Sequence, residues 1–509
     1  MIKLKKIIVS IIIIGLLLTT FMATENAKTC RPYIYVDDDN TQGPWDGTQE
    51  HPYQYVQDGI DNAQEGDTIY VFSGFYDKYL TLSKSVNFIG EDRDSTILNW
   101  SICIEDYIDG ITIHGFTLGM GGIALFHSSF HEIYDNNFLN LRSVCLVNCS
   151  NCIVTNNIIK SMRGIVIDGR SCNNTISENY ISGGELHGIR LNYYSKDNII
   201  TKNTIENNSD FGIDVSHSDN NIISNNIITN NYRGIDMFNS NNNIVSNNII
   251  TNNSAEGINP IFSDNCSISN NIITNNNGCG IALHYSDNSI LSNNIIANNS
   301  DEGSWPCEGI YSVFSDNCSI SNNIITNNSG NGIYVSSKNN TVNDNTITDN
   351  GENGIKLIGD ADYNTFSGNT IADNNRFGIS FTGPIDEEDI YHSNFNTFSG
   401  NTIRDNARFG VYINELCLGN LFYYNNFINN DQNAWDEGIF NRWHNSIKKE
   451  GNYWDDYTGV DRNGDGIGDT PYKIPGKIIQ SKDRFPFMDP VDIEEIEVNT
   501  MPESSPSSN

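Results

Sequence analysis

Apolar and polar positions alternate along this chain in short bursts, and the bursts restart at a fixed interval. Each restart is a glycine followed by isoleucine or valine: Gly164, Gly188, Gly212, Gly234, Gly257, Gly280, Gly309, Gly332, Gly354, Gly378 and Gly410, mostly 22 to 24 residues apart. In the stretch from Gly212, GIDVSHSDNNIISNNIITNN, Ile213 and Val215 point one way while Asp214 and Ser216 point the other, as along a half-buried strand. Ile222, Ile223, Ile227 and Ile228 add β-branched core, and the Asn-rich phrases between them mark bends. Helix is excluded by the density of Asn, Gly, Ser and β-branched residues. A fixed period of this length predicts a solenoid, each coil burying its apolar face against its neighbours. The expected coil has three short strands and three turns, and stacks in parallel about 4.8 Å from the next.

The repeat also predicts what stands at the corners. Asn174, Asn198, Asn221, Asn243, Asn340, Asn364 and Asn396 fall at one coil position, where stacked amides can bond to the coils above and below. Cys152, Cys266 and Cys318 take the same position as small buried substitutes. A second Asn series, at Asn226, Asn248, Asn271, Asn294 and Asn323, recurs with the same period.

The flanks read differently. Residues 1–27 have a lysine head (Lys3, Lys5, Lys6) and an apolar core, the pattern of a secretory signal, and cleavage or retention as an anchor both fit it. Tyr33 to Asp39 alternates like a strand. Tyr53 to Glu65 sets Tyr53, Val56, Ile60 and Ala63 on one helical face. Residues 33–100 are therefore assigned as an N-terminal helical cap with the opening coils, and 101–430 as the repeats. Residues 431–490, with Trp435, Trp443, Tyr453, Trp454 and Tyr457, are assigned as an aromatic C-terminal cap. Residues 491–509 read as a disordered tail. Roughly 12–14 coils are expected in all. Two insertions break the period, Asp301 to Glu308 and Gly383 to His392. Each carries acids and an aromatic (Trp305, Tyr391), as loops that contact sugar or a cation do; plain tolerated loop growth is the simpler account of both.

Charged residues make up 18% of the chain and the net charge is −34, which argues against nucleic acid, whose binding needs a basic footprint. Beyond the signal no apolar span follows, so a secreted or cell-surface protein, monomeric, is expected. The cysteines number 11. Cys279 and Cys307 lie just before the Gly-Ile of adjacent coils, and a disulfide between them would pin the first insertion. Asp461, Asn463, Asp465 and Asp469 in DRNGDGIGD follow the start of a calcium loop; a Gly-Asp turn without metal is the alternative.

Candidate chemistry lies in the outward columns. One column runs Val166, Arg190, Asp214, Asp236, Asn259, Ala282, Tyr311, Tyr334, Lys356, Ser380 and Tyr412. Within it Arg190, Asp214 and Asp236 stand on successive coils, a catalytic candidate in which carboxylates about 5 Å apart share work on a glycosidic bond. Asp168, His217, His284, Trp305, Tyr311 and Tyr334 are the candidate ligand contacts around it. Wet polar positions with no chemistry would look the same.

The repeats, the opening segment Gly43 to Gly74 and the closing segment GNYWDDYTGVDRNGDGIGDTPYKIPG (Gly451 to Gly476) with DRFPFM resemble the NosD-type and carbohydrate-binding or sugar-hydrolase right-handed parallel β-helix proteins. That resemblance implies an all-β right-handed β-helix. Its copper-assembly role transfers poorly, because copper takes clustered His, Met or Cys and the 9 His and 7 Met here do not cluster. The resulting expectation is an exported protein that binds a polysaccharide or cell-envelope glycan. The alternatives are a lyase, hydrolase or uronate epimerase, and more weakly a copper-site assembly factor.

Overall fold

A computed structural model describes residues 33–300, 307–382, 392–477 and 481–492. The signal segment, Trp305, Tyr391 and most of the C-terminal tail lie outside the described residues. One coil shows the plan. Ile222–Ser224 lies in a first sheet and Ile227–Thr229 in a second; Ile235–Phe238 then lies in a third. The next coil repeats each strand in register, pairing Ile222 with Ile244, Ile227 with Ile249 and Ile235 with Ile258, all parallel. The fold is a right-handed parallel β-helix with almost no helix, as expected from the repeat.

Isoleucines fill the bore. Ile213, Ile223, Ile228, Ile235, Ile250 and Ile258 are all fully buried, each meeting its counterpart one coil away. The recurrent glycine has a steric cause. A Cβ on Gly212 would stand 2.5 Å from Cγ2 of Ile228 and 2.8 Å from the carbonyl oxygen of Gly234, so no side chain fits where the second sheet turns into the third.

The asparagine doublets divide their labour. In the coil from Asn220, residues Asn220, Asn225 and Asn230 have φ of 60, 58 and 56°, the left-handed region that Asn tolerates. The residue after each is buried, and these second asparagines build ladders at all three corners: Asn198–Asn221–Asn243, Asn203–Asn226–Asn248 and Asn208–Asn231–Asn253. Asn226 donates to the Ile200 carbonyl at 3.0 Å and to Asn248 Oδ1 at 3.0 Å. Its own Oδ1 accepts from the backbone and side-chain amides of Asn203 at 2.9 and 3.0 Å. Cys152 and Cys318 do stand in the first ladder, their N–H groups reaching Asn174 and Asn340.

The helix stack is longer than expected. The third sheet has 16 strands and the chain makes about 16 turns, against the roughly 12–14 read from the repeats. The surplus lies at the ends. Thr68–Val71 and Asn87–Gly90 pair in register with the strands that follow, and Gln432–Asp436 pairs with Phe409–Ile413, so both flanks wind as coils. The helix is also shorter, Val56–Asn62, because the backbone of Tyr53 bonds to Tyr35 in extended form. At the other end Trp443 and Trp454 are buried, stacked on Phe422 and Phe427 at 4.4 and 4.3 Å. Asp436 accepts from the indole of Trp443 at 2.9 Å, and Asp483 from that of Trp454 at 3.0 Å. Among the described residues no helix is long and apolar enough to cross a membrane.

Candidate functional site

A groove of about 590 Å³ runs along the third sheet over its earlier coils. Its floor is apolar, with Ala124, Cys145 and Val166 facing outward from strands whose Ile123 and Val144 are buried in the bore, and Tyr79 and Phe126 stand at its sides. Above the floor come cations. The pairing of Cys145 with Val166 and of Ile165 with Ile189 sets Arg142, Arg163 and His187 in one column, at the position just before each glycine-type corner. Successive members of such a column are about 4.8 Å apart. Arg190 joins from the column opposite Val166, with Asp168 and Asn192 two residues further along their strands. Arg142 and Arg163 are exposed, and no ion pair holds either of them among the described residues.

The far end of the groove closes on a buried carboxyl. Asp214 Oδ2 lies 3.1 Å from Arg190 Nε and 3.6 Å from His187 Nε2, while His187 Nδ1 lies 3.3 Å from Asp210 Oδ2. Neither the Arg190 Nε nor the His187 Nδ1 proton is aligned on its neighbour as a hydrogen bond. Burial pushes the Asp214 carboxyl up to about 7, with Arg190 pulling the other way. Burial likewise holds His187 below its ordinary value against the pull of Asp210. Near neutral pH this corner therefore holds a carboxyl that titrates beside an imidazole whose charged form burial disfavours. Phe211 stacks on His187 at 5.3 Å and Arg233 lies over Phe211, completing a wall.

The structure divides the catalytic candidates read from the sequence. Arg190, Asp214 and Asp236 do occupy successive coils in one column. Asp236, however, is closed off: Arg233 donates to it at 3.0 Å and Asn259 at 2.7 Å, and Arg233 also holds Glu256. Asp214 and Asp236 are each only 6% exposed, because side chains from the column before the glycines fold over them. That same column supplies Arg142, Arg163, His187 and Arg233, which sequence reasoning missed. The signal was present as one more outward position per coil, just before the Gly-Ile pair.

The other candidates scatter. Asp168 lines the groove. His217 sits at a left-handed bend (φ 50°) against Tyr194 and Phe238, away from the Asp214 corner. His284 stacks near Tyr311 at 5.3 Å, and Tyr311 stacks on Tyr334 at 4.8 Å with Lys356 over the latter. This second group stands about five coils, or roughly 24 Å, from Arg190.

Cys279 and Cys307 are free thiols rather than a disulfide. Strand register sets Cys279 opposite Glu308, whose carboxylate accepts its thiol at 3.8 Å, with the Cys307 thiol beside it. In the loop at Asp461, the carboxylate accepts the N–H groups of Gly464 and Gly466 at 2.7 and 2.8 Å, while Asp469 accepts that of Arg462 and Asp465 that of Ile467. The expected calcium ligands thus hold the loop's own backbone. Among the described residues no group of three or more His, Cys, Asp or Glu is set to hold a metal ion.

Comparison with known proteins follows the coils. The family model "Periplasmic copper-binding protein (NosD)" matches residues 307–459, and "Right handed beta helix region" matches residues 121–271 and 200–305. The copper of the first description finds no fitting donor cluster among the described residues. No curated protein matches the chain. Solved structures similar to it include the A-module of a mannuronan C-5 epimerase of Azotobacter vinelandii, 17% identical, covering 76% of this chain and 92% of that one at TM-score 0.32. The surface adhesin PfbA of Streptococcus pneumoniae is 15% identical over 63% and 91% of the two chains, at TM-score 0.40. A tailspike of Pseudomonas phage phi297 is 9% identical over 58% and 72%, at TM-score 0.44. Fold kinship at this level leaves the chemistry open. Together with the coil stack, these matches identify the chain as a right-handed parallel β-helix repeat protein that is similar to the NosD model over residues 307–459.

Proposed function

We propose that the groove on the third sheet binds an acidic polysaccharide of the cell envelope or its surroundings. One observation carries this reading: on a chain of net charge −34, Arg142, Arg163 and Arg190 converge on a single groove. Arginine presents paired N–H donors to a carboxylate, so a column of them about 4.8 Å apart suits a ligand that repeats its negative charge. The apolar floor and Tyr79 offer sugar rings a surface to lie on. The test is binding of the full chain to a polyuronate and to a neutral glucan of equal length. Binding to the polyuronate alone, weakened by salt, is expected; equal binding to both, or to neither, refutes the reading.

The titration of Asp214 sets a pH dependence. Below pH 7 the carboxyl is protonated and Arg190 is free to meet the ligand. Above it the carboxylate claims Arg190 and adds a negative charge beside the groove. Affinity is therefore expected to fall as pH rises through 7, by about tenfold, the effect of one such charge contact of ~1.4 kcal/mol. Folding stability moves the same way. A carboxyl whose folded pKa is raised stabilises the fold below its ordinary pKa, and that contribution is lost as pH rises towards 7. Calorimetric titrations across pH 5.5 to 8.5 would show the affinity trend; a flat or rising profile contradicts it.

A second reading is favoured by the same corner. A half-titrated carboxyl touching both His187 and Arg190 is placed for acid–base work on a bound uronate. If the protein turns over its ligand, Asp214→Asn abolishes release of reducing ends or unsaturated uronate while binding persists. No product from the unaltered protein on any polyuronate leaves the binding reading alone.

A further inference from the structure

The motif with the strictest repetition, IIT between asparagine doublets, plays no part in the groove. In each copy the middle isoleucine is buried in the bore, and the first isoleucine and the threonine face outward from the second sheet. Ile227, Ile249, Ile272, Ile295 and Ile324 form one straight row on paired strands and are 39–45% exposed. A parallel row holds Thr229, Thr251, Thr274, Ala297 and Thr326. From Ile227 to Ala372 every outward position of this sheet is Ile, Thr or Ala. The adjoining first sheet repeats the theme, with Ile222, Ile244 and Ile290 exposed and serines beside them.

Core packing explains the inward isoleucines but places no demand on the outward ones. Nor does it explain why a chain of net charge −34 leaves the outward strand positions here without charge, its nearest acids, Asp344, Asp349 and Asp373, standing only at the bends of the last two coils. The two insertions also avoid it. Asp301 to Glu308 falls between the second and third sheets and Gly383 to His392 between the third and first, whereas in every coil of this face two residues link the first sheet to the second. Loss of charge from the centre of a face is a mark of protein–protein interfaces.

We propose that this face is where a second copy of the chain docks, sheet against sheet about a twofold axis. A copy brings rows of the same spacing, so isoleucine ridges of one can seat between those of the other. The area suffices. Seven coils, from Ile227–Thr229 to Thr370–Ala372, at about 4.8 Å by about five residues at 3.3 Å give roughly 550 Å² per copy and 1,100 Å² for the pair, above the ~1,000 Å² that a specific interface needs. The monomer expected from the sequence is thereby revised, and the groove, on the third sheet, stays open. This inference is independent of what the groove binds.

Sedimentation velocity of the full chain tests it, with Ile249→Lys and Ile272→Lys introduced together. The unaltered chain is expected to sediment as a dimer at micromolar concentration. Salt at about 0.5 M should strengthen the dimer, because it screens the repulsion between two acidic bodies. The double variant should be monomeric with unchanged circular dichroism, and Arg142→Glu, on the groove, should remain dimeric. A monomer at 100 µM in the unaltered chain overturns the proposal. So does a dimer that survives both lysines, or one that salt dissolves. A monomer that adheres through this face to a neutral polymer would overturn it as well.

Discussion

Replacing Asn271 by alanine is expected to cost the protein about 3–6 kcal/mol of stability, while replacing its neighbour Asn270 by glycine costs almost nothing. Asn271 is fully buried. Its Oδ1 accepts the backbone and side-chain amides of Asn248, each at 3.0 Å, and its own amide donates to the Val245 carbonyl at 2.9 Å and to Asn294 at 3.0 Å. Alanine leaves two donors of Asn248 and one carbonyl without partners in a dry corner, and each such group costs about 1–3 kcal/mol. No neighbour can move in to replace them, since every adjacent rung is engaged in the same way. Asn270 is exposed, with φ of 56°, a conformation glycine adopts freely. Urea unfolding of the two variants checks the contrast. Because solenoid stability is set between neighbouring coils, proteolysis of Asn271→Ala should begin near that coil. Equal losses from the two substitutions would mean that the doublets act through turn propensity and not through the buried ladder.

Reversing the charge at Arg142 and Arg163 together is expected to weaken binding of a polyuronate at least a hundredfold. Two charge-assisted contacts at about 1.5–3 kcal/mol each supply that much, before the repulsion of the introduced glutamates is counted. Both arginines are exposed and neither holds an ion pair among the described residues, so folding should be unaffected. Arg233→Ala provides the contrast. It removes the cover from Asp236 and the link to Glu256, so it should lower stability more than affinity. Titration calorimetry beside thermal unfolding separates the two effects. Full retention of binding by Arg142→Glu/Arg163→Glu would move the ligand elsewhere.

The fold was legible because its cause is periodic. Gly212 and its counterparts leave no room for a Cβ, Ile213 and Ile235 must face the bore, and both demands recur in every coil. The ladders were only partly legible. In a doublet such as Asn225–Asn226 either residue could turn inward, and only the backbone shows that the first is left-handed and the second buried. The site was less legible still, because its chemistry does not repeat. Arg142, Arg163, His187 and Phe211 share one coil position yet are three kinds of residue, so no motif marks them. Following strand alternation from each glycine finds Arg190 and Asp214 but stops one residue short of that column. Nor does alternation foresee that the column folds over Asp214 and Asp236, which turns two apparently wet carboxylates into buried ones.

Hydrogen–deuterium exchange of the full chain with and without a saturating polyuronate measures the central claim most directly, since it reports where the ligand lies. Protection confined to the segments around Arg142–Val147, Arg163–Asp168 and His187–Asn192 is the predicted outcome. Protection on the isoleucine face of the second sheet instead, or at the Tyr311–Tyr334 stack with the arginine column unchanged, would contradict it.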